Sequence, residues 1–243
     1  ENEIKRFVEY HNPDLKIIQT YRDKKEIDLY IPQYNLGLEI NGTYWHSHLQ
    51  LDKKYHYNKT NFFNNKNINI FHIWEHQWIN PVKQNIIKSM ILNKLSLTPN
   101  KIYARKCEIK EINSSIYRDF CNQNHIQGFS PSKIKLGLFY KEELTSVMGF
   151  SNLRLNLGNK GNNEGKFELI RFCNKLNTNV IGGASKLLNF FEIHYNPDYL
   201  VSYADRDYSQ GKLYEKLNFI NKGFTNISYI YYDKKTKLIK NRF

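Results

Sequence analysis

Apolar residues recur at helical spacing at Ile4, Phe7 and Val8, and the pattern stops at HNPD, where Pro13 cannot continue it. A first helix is therefore predicted over residues 1–10. Three short apolar runs follow, over 16–21, 26–31 and 36–41, separated by a charged turn and a Pro-containing one; they read as strands. A helix is predicted over 52–65, and the continuous apolar run 68–74 reads as a buried strand. Pro81 opens a further helix to residue 95, with Val82, Ile86, Ile87, Met90 and Ile91 on one face. The first part of the chain thus reads α-β-β-β-α-β-α.

LSLTPNK, about residues 95–101, is the expected linker, because Pro99 breaks the helical pattern. It divides the chain into a domain over 1–97 and a second over 102–243. In the second, strands are predicted over 102–109, 166–173 and 200–205, with hairpins at 133–152 and 229–241. Helices are predicted over 114–124, from the GGAS turn at 182–185 to about 195, and over 211–217. Both halves mix helices and strands, so the expected class is α/β.

Composition narrows the picture. At 243 residues, with 40% apolar and 15% aromatic content, the chain can bury one large core or two ordinary ones. No apolar run approaches the roughly 20 residues of a membrane span. Cys107, Cys121 and Cys173 are odd in number and widely spaced, giving neither a CxxC metal site nor a disulfide framework. A reducing, cytoplasmic setting is expected. The chain starts at Glu1 rather than Met, and a preceding segment is expected. The net charge of +13 is uneven: residues 1–100 carry 13 Lys/Arg against 10 Asp/Glu, and residues 101–243 carry 23 against 13. Such a basic excess attracts polyanions, with nucleic acid as the expected partner.

The segment EIDLYIPQYNLGLEINGTYWH, residues 26–46, carries the candidate chemistry. Asp28 and Glu39 stand inside apolar runs on consecutive predicted strands, where a carboxylate is costly without positive charge beside it. Strand alternation places Asp28 with Glu26 and Tyr30, and Leu38 and Ile40 opposite Glu39. Two carboxylates meeting across neighbouring strands point to a hard divalent cation, for which Mg²⁺ is suited. The plainer alternative is an exposed strand residue at Asp28 and an edge charge at Glu39. His46 is a candidate for proton transfer, or a structural histidine packed beside Trp45. His72, within IFHIW, reads as a core histidine, while His56 and Lys59, three residues apart on one helix, could reach a phosphate.

This order of elements, with Asp28 on the second strand and Glu39 on the third, resembles the PD-(D/E)XK nuclease superfamily. Within it, EIDLYIP, LGLEINGTYWH, KKYHYNKT and INIFHIWEHQW are similar to the very-short-patch-repair endonucleases, and closer to phage homing endonucleases with the EDxHD-type site. The resemblance spans about residues 1–95. It implies Mg²⁺-dependent cleavage of double-stranded DNA, with Mn²⁺ as a substitute, Asp28 and Glu39 as metal ligands and His46 in proton transfer. It also implies a Glu on the first helix, for which Glu1 fits better than Glu3. Two departures stand out. Asn41 occupies the position where many superfamily members carry Lys, which shifts that role to His46 or Lys59. The chain also lacks the cysteines of the repair enzymes' zinc site.

The second half resembles the GNAT acyltransferase fold through FELIRFCN, the glycine turn and YEKLNF. Gly182, Gly183 and Ala184 fall where those enzymes cradle the coenzyme A pyrophosphate. The implied alternative function is an N-acyltransferase using acetyl-coenzyme A, with Glu168 as base and Tyr214 as acid. Against it, the turn begins with Asn179 rather than Gln or Arg. A third alternative is a DNA-binding module that does not cleave. As a target-recognition module, the second half offers Arg105, Lys106, Arg118, Lys133, Lys135, Arg154, Arg171 and Arg206 for phosphate or base contacts.

Overall fold

The computed structural model describes residues 1–42, 54–153, 164–227, 231–233, 235–236 and 239–240. It is a mixed α/β protein of two units. Unit 1 comprises Glu1–Gln84, Asp205–Lys212 and Ile220–Phe243, and unit 2 comprises Asn85–Ala204 and Leu213–Phe219. This division differs from the expected boundary at residues 97–102 in two ways. The chain passes to unit 2 within a helix rather than at Pro99, and it returns to unit 1 twice.

In unit 1, helix α1 (Asn2–His11) precedes strands β1 (Ile18–Asp23), β2 (Lys25–Ile31) and β3 (Leu36–Asn41). The turn between β2 and β3 is a short 3-10 helix, Pro32–Tyr34, closed by Asn35 in the left-handed region at φ +46. Helix α2 (Tyr55–Asn64), strand β4 (Asn69–Trp74) and the short helix α3 (Glu75–Trp78) follow. Helix α4 (Pro81–Lys94) carries the chain out of the unit. The sheet order is β1-β2-β3-β4, antiparallel except for the parallel β3–β4 pair. Gly37 allows β2, β3 and β4 to pack closely. A Cβ there would lie 2.7 Å from Ile70 Cδ1 and 2.9 Å from Ile27 Cγ2.

Unit 2 is built on a five-stranded sheet of order β11-β9-β8-β7-β6, from β6 (Glu108–Glu111), β7 (Ile134–Tyr140), β8 (Glu143–Asn152), β9 (Lys166–Asn174) and β11 (Tyr199–Ser202). Its pairs are antiparallel except β9–β11. Helix α5 (Ser114–Asn124) is capped by the Asn113 side chain, which accepts from the Ile116 N–H at 2.9 Å. Helix α6 (Gly183–Tyr195) sets Leu187, Leu188 and Phe191 against Leu136, Leu138 and Phe150 of the sheet. Phe150 and Phe191 stack with centroids 3.7 Å apart. The single strand expected over 102–109 is two, because β5 (Asn100–Tyr103) pairs in a separate small sheet with β10 (Thr178–Ile181), a strand the sequence did not reveal. The expected strand 200–205 ends at Ser202, and helix α7 covers Lys212–Lys216. β12 (Tyr231–Tyr232) and β13 (Ile239–Lys240) form a last hairpin.

Candidate active site

Asp28 and Glu39 lie on the neighbouring strands β2 and β3. The ladder between them pairs Leu29, Tyr30 and Ile31 with Leu38, Gly37 and Leu36. At Asp28 its place is taken by a side chain: Asp28 Oδ2 accepts from the Ile40 N–H at 2.7 Å. On the other flank Gln19 and Tyr21 pair with Leu29 and Ile27, and Thr20 between them has φ +54. β2 keeps the expected alternation: Ile27, Leu29 and Ile31 are buried, and Glu26, Asp28 and Tyr30 are half-buried on the other face. Asp28 sits where the ladder to β3 ends.

Glu39 is 2% exposed on an inner strand, so it is not an edge charge. Its Oε1 accepts from the ammonium of Lys59, itself 4% exposed on α2. Its Oε2 is buried with no hydrogen-bond partner among the described residues. Burial pushes the Glu39 carboxyl up to about 7; Lys59 opposes that rise and the Asp28 carboxylate adds to it. Asp28 is also raised, chiefly by burial, with the Ile40 N–H and Lys59 opposing and Glu1 and Glu26 reinforcing. Asp28, Glu39 and Lys59 thus lie within electrostatic reach of one another, and Glu1 within reach of Asp28.

Glu1 accepts from Gln19 Nε2 at 3.1 Å. Glu3, the other acid of α1, accepts from Trp78 Nε1 at 2.9 Å and Gln84 Nε2 at 3.3 Å, which gives it a structural task. Asn41 is fully buried, and its Nδ2 donates to His72 Nδ1 at 3.1 Å. With Nδ1 accepting, the His72 proton sits on Nε2 and is donated to Thr60 Oγ1 at 2.9 Å. The 1%-exposed His72 therefore joins β3 to α2 directly beside the Glu39–Lys59 pair. It is also the strand partner of Glu39. No local pattern signals this network, which needs Thr60 and His72 facing each other across two elements. His46 lies outside the described residues, as does Arg154.

The basic candidates separate into two groups. Arg105, Lys106, Arg118 and Lys133 are exposed, Arg105 over the Tyr103 ring and Arg118 over Phe129. Lys135 donates to the carbonyls of Ser132 and Lys133, and Arg171 to those of Gly128 and Ile170. Arg206 donates to Asn61 Oδ1 at 2.6 Å and lies over the rings of Tyr57 and Phe224. These three have structural partners. Lys59 is buried in its ion pair rather than presented at the surface. His56 is packed among the rings of Tyr55, His72 and Trp74.

The glycine turn has its own structural account. Gly182 caps α6 at φ +78, and a Cβ at Gly183 would lie 3.0 Å from Val180 Cγ1 and 3.3 Å from Leu138 Cδ1. Backbone conformation and packing call for both glycines without a ligand, and Ala184 fills the core below.

Among the described residues no three His, Cys, Asp or Glu side chains gather as metal ligands. The acids present are two carboxylates on adjacent strands, one with a buried oxygen that has no donor. Mg²⁺ takes few protein carboxylates and keeps several waters, so this donor set fits it. Comparison with known proteins gives no matching family model and no matching curated protein.

Proposed function

We propose that the protein is a Mg²⁺-dependent endonuclease of the PD-(D/E)XK type that hydrolyses phosphodiester bonds in double-stranded DNA, acting in the cell as a site-directed homing endonuclease. One observation carries the reading: a buried carboxylate, Glu39, holds a lysine on one oxygen and has no partner for the other among the described residues, with Asp28 on the adjacent strand. An acid with no further task would be replaced at little cost by an apolar residue of similar size. The element order and the parallel β3–β4 pair agree with that superfamily arrangement. Unit 2 is read as a GNAT-like module that recognises the target. The basic excess of residues 101–243 and the exposed Arg105, Lys106, Arg118 and Lys133 support this.

In this mechanism Asp28 and Glu39 would hold the cation, which polarises the phosphoryl oxygen and supplies an activated water. The Ile40 N–H fixes one Asp28 oxygen, so the carboxylate is oriented before any ligand arrives. Lys59 favours the ionised form of Glu39 against its burial and sets positive charge where negative charge grows on the phosphate. It takes the role that Asn41 cannot fill. Glu1 lies near enough to Asp28 to position the cation or the attacking water.

Incubating supercoiled plasmid with Mg²⁺ and with EDTA tests the reading. Wild type should cut only with the cation, and Asp28→Ala and Glu39→Ala should lose cutting. Undiminished cutting by either variant would remove the assignment.

A further inference from the structure

Residues 205–210 follow unit 2 in sequence but belong to unit 1, where Arg206, Asp207, Tyr208 and Gln210 take side-chain partners on α2, β4 and α3. Strand β4 is the last of its sheet, so its outer backbone edge needs cover. The Asp207 carbonyl accepts from the His72 N–H at 2.8 Å on that edge. The half-buried Asp207 carboxylate accepts from Trp74 Nε1 at 2.9 Å. Tyr208 is buried and donates to Gln77 Oε1 at 2.8 Å. On the other side Arg206 and Gln210 donate to Asn61 and Asn64 of α2. These lie two and five residues beyond Lys59.

We propose that residues 205–210 form a strap that positions Lys59 against Glu39, with Asp207 as its central positioning residue. This rests on the nuclease reading of the site. The strap grips both elements that set the ion pair: α2, which carries Lys59, and β4, whose His72 bonds to Thr60 of α2 and to Asn41 of β3. Holding a charged donor to a fraction of an ångström requires that its supporting shell be fixed as well. A loop serving only to cover the edge would need the carbonyl of Asp207 alone, yet its carboxylate is also engaged, by Trp74 Nε1 of the same strand. The site is then assembled from sequence segments more than a hundred residues apart.

The test uses the full chain. Asp207→Ala removes the acceptor, Asp207→Asn keeps an oxygen for Trp74 Nε1, and Trp74→Phe removes the donor while keeping an aromatic ring. Two readouts are taken: kcat and KM for plasmid cleavage with Mg²⁺, and the side-chain ammonium resonance of ¹⁵N-labelled Lys59, which an ion pair with Glu39 protects from exchange. Asp207→Ala should lower kcat about tenfold with KM within twofold and expose the Lys59 signal to exchange, and Asp207→Asn should restore most of both. If Asp207→Ala fails to fold, Trp74→Phe carries the same expectation. Unchanged kcat and an unchanged Lys59 signal in the folded variants would overturn the strap, as would equal losses in Asp207→Ala and Asp207→Asn. A wild type that never cuts DNA, but whose Lys59 signal responds to Asp207, would sink the nuclease reading and leave the strap standing.

Discussion

Each unit buries a glutamate on an inner strand between branched apolar neighbours: Glu39 in LGLEIN of unit 1 and Glu168 in KFELIRF of unit 2. Both are almost fully enclosed, at 2% and 1% exposure. Their settings differ. Glu39 faces the Lys59 ammonium and keeps an oxygen without a donor, and burial drives its carboxyl up toward neutrality. Glu168 is engaged by its surroundings, in a unit whose sheet and α6 close over a continuous apolar core. Burial alone therefore does not mark a working acid. What distinguishes Glu39 is incomplete satisfaction beside a buried positive charge, an arrangement a fold keeps for a ligand or a reaction.

The sharpest way to break this comparison is to neutralise each glutamate in turn. Glu39→Gln should reduce Mg²⁺-dependent cleavage by about a thousandfold, since one electrostatic group at a reacting centre is commonly worth 10²–10³ or more in rate. Glu168→Gln, nearly isosteric, should leave cleavage per folded molecule within about twofold. A comparable loss of turnover from Glu168→Gln, with DNA binding intact, would mean that the chemistry is misassigned to unit 1.

A smaller effect is expected on stability. Lys59→Met removes the only described ion-pair partner of Glu39, and breaking a buried pair in this way costs about 3–5 kcal/mol. Because Glu39 is already raised to about 7, it can shed its charge by taking a proton. The loss should therefore be largest near pH 8 and shrink markedly at pH 5, as read by urea unfolding. Adding Glu39→Gln to Lys59→Met should recover much of the stability and none of the cleavage. Equal losses at both pH values would show that Lys59 acts by packing rather than by charge.

The two regions also differ in how much of them could be read from sequence. In unit 1 the expected α-β-β-β-α-β-α order follows from periodicity, with the short helix Glu75–Trp78 added, and β3 has the bounds expected for it, because it is a single apolar run set off by the Pro32–Asn35 turn and Gly42. In unit 2, IYARKCEI continues an apolar pattern straight through the 3-10 turn Ala104–Lys106. Nothing local shows that its two ends join different sheets. Within the site, Asp28 and Glu39 were legible as misplaced charges in apolar strands. The hydrogen bond from the Ile40 N–H to Asp28 was not, since it joins two strands at the point where their ladder ends. The support from Asp207 is 133 residues from Trp74, a pairing made by tertiary structure alone.

The finest comparison uses pH, because burial shifts an acid and a base in opposite directions. Glu39 moves from 4.5 to about 7, so between those values the folded state holds more proton than the unfolded one. Its contribution to stability is complete below 4.5 and is lost as pH rises through 7. His125 of unit 2 is lowered from 6.5 to about 3, first by burial and then by the Arg171 charge, and its Nδ1 accepts from the Gln127 N–H at 3.2 Å. Its contribution is complete above 6.5 and is lost as pH falls through 3, when protonation removes that acceptor. Each single proton gives a slope of at most about 1.4 kcal/mol per pH unit. In EDTA, unit 1 should weaken from pH 5 to 7, followed by fluorescence of Trp45, Trp74 and Trp78, which all lie in its sequence. Over the same range amide protection in β7 and β8, taken relative to the intrinsic base-catalysed exchange rate at each pH, should rise or stay constant. Glu39→Gln should flatten the first profile and leave the second unchanged, whereas His125→Asn should flatten only the acid limb of the second. Parallel profiles in both units, altered together by either substitution, would show that the units unfold as one and that neither group acts locally.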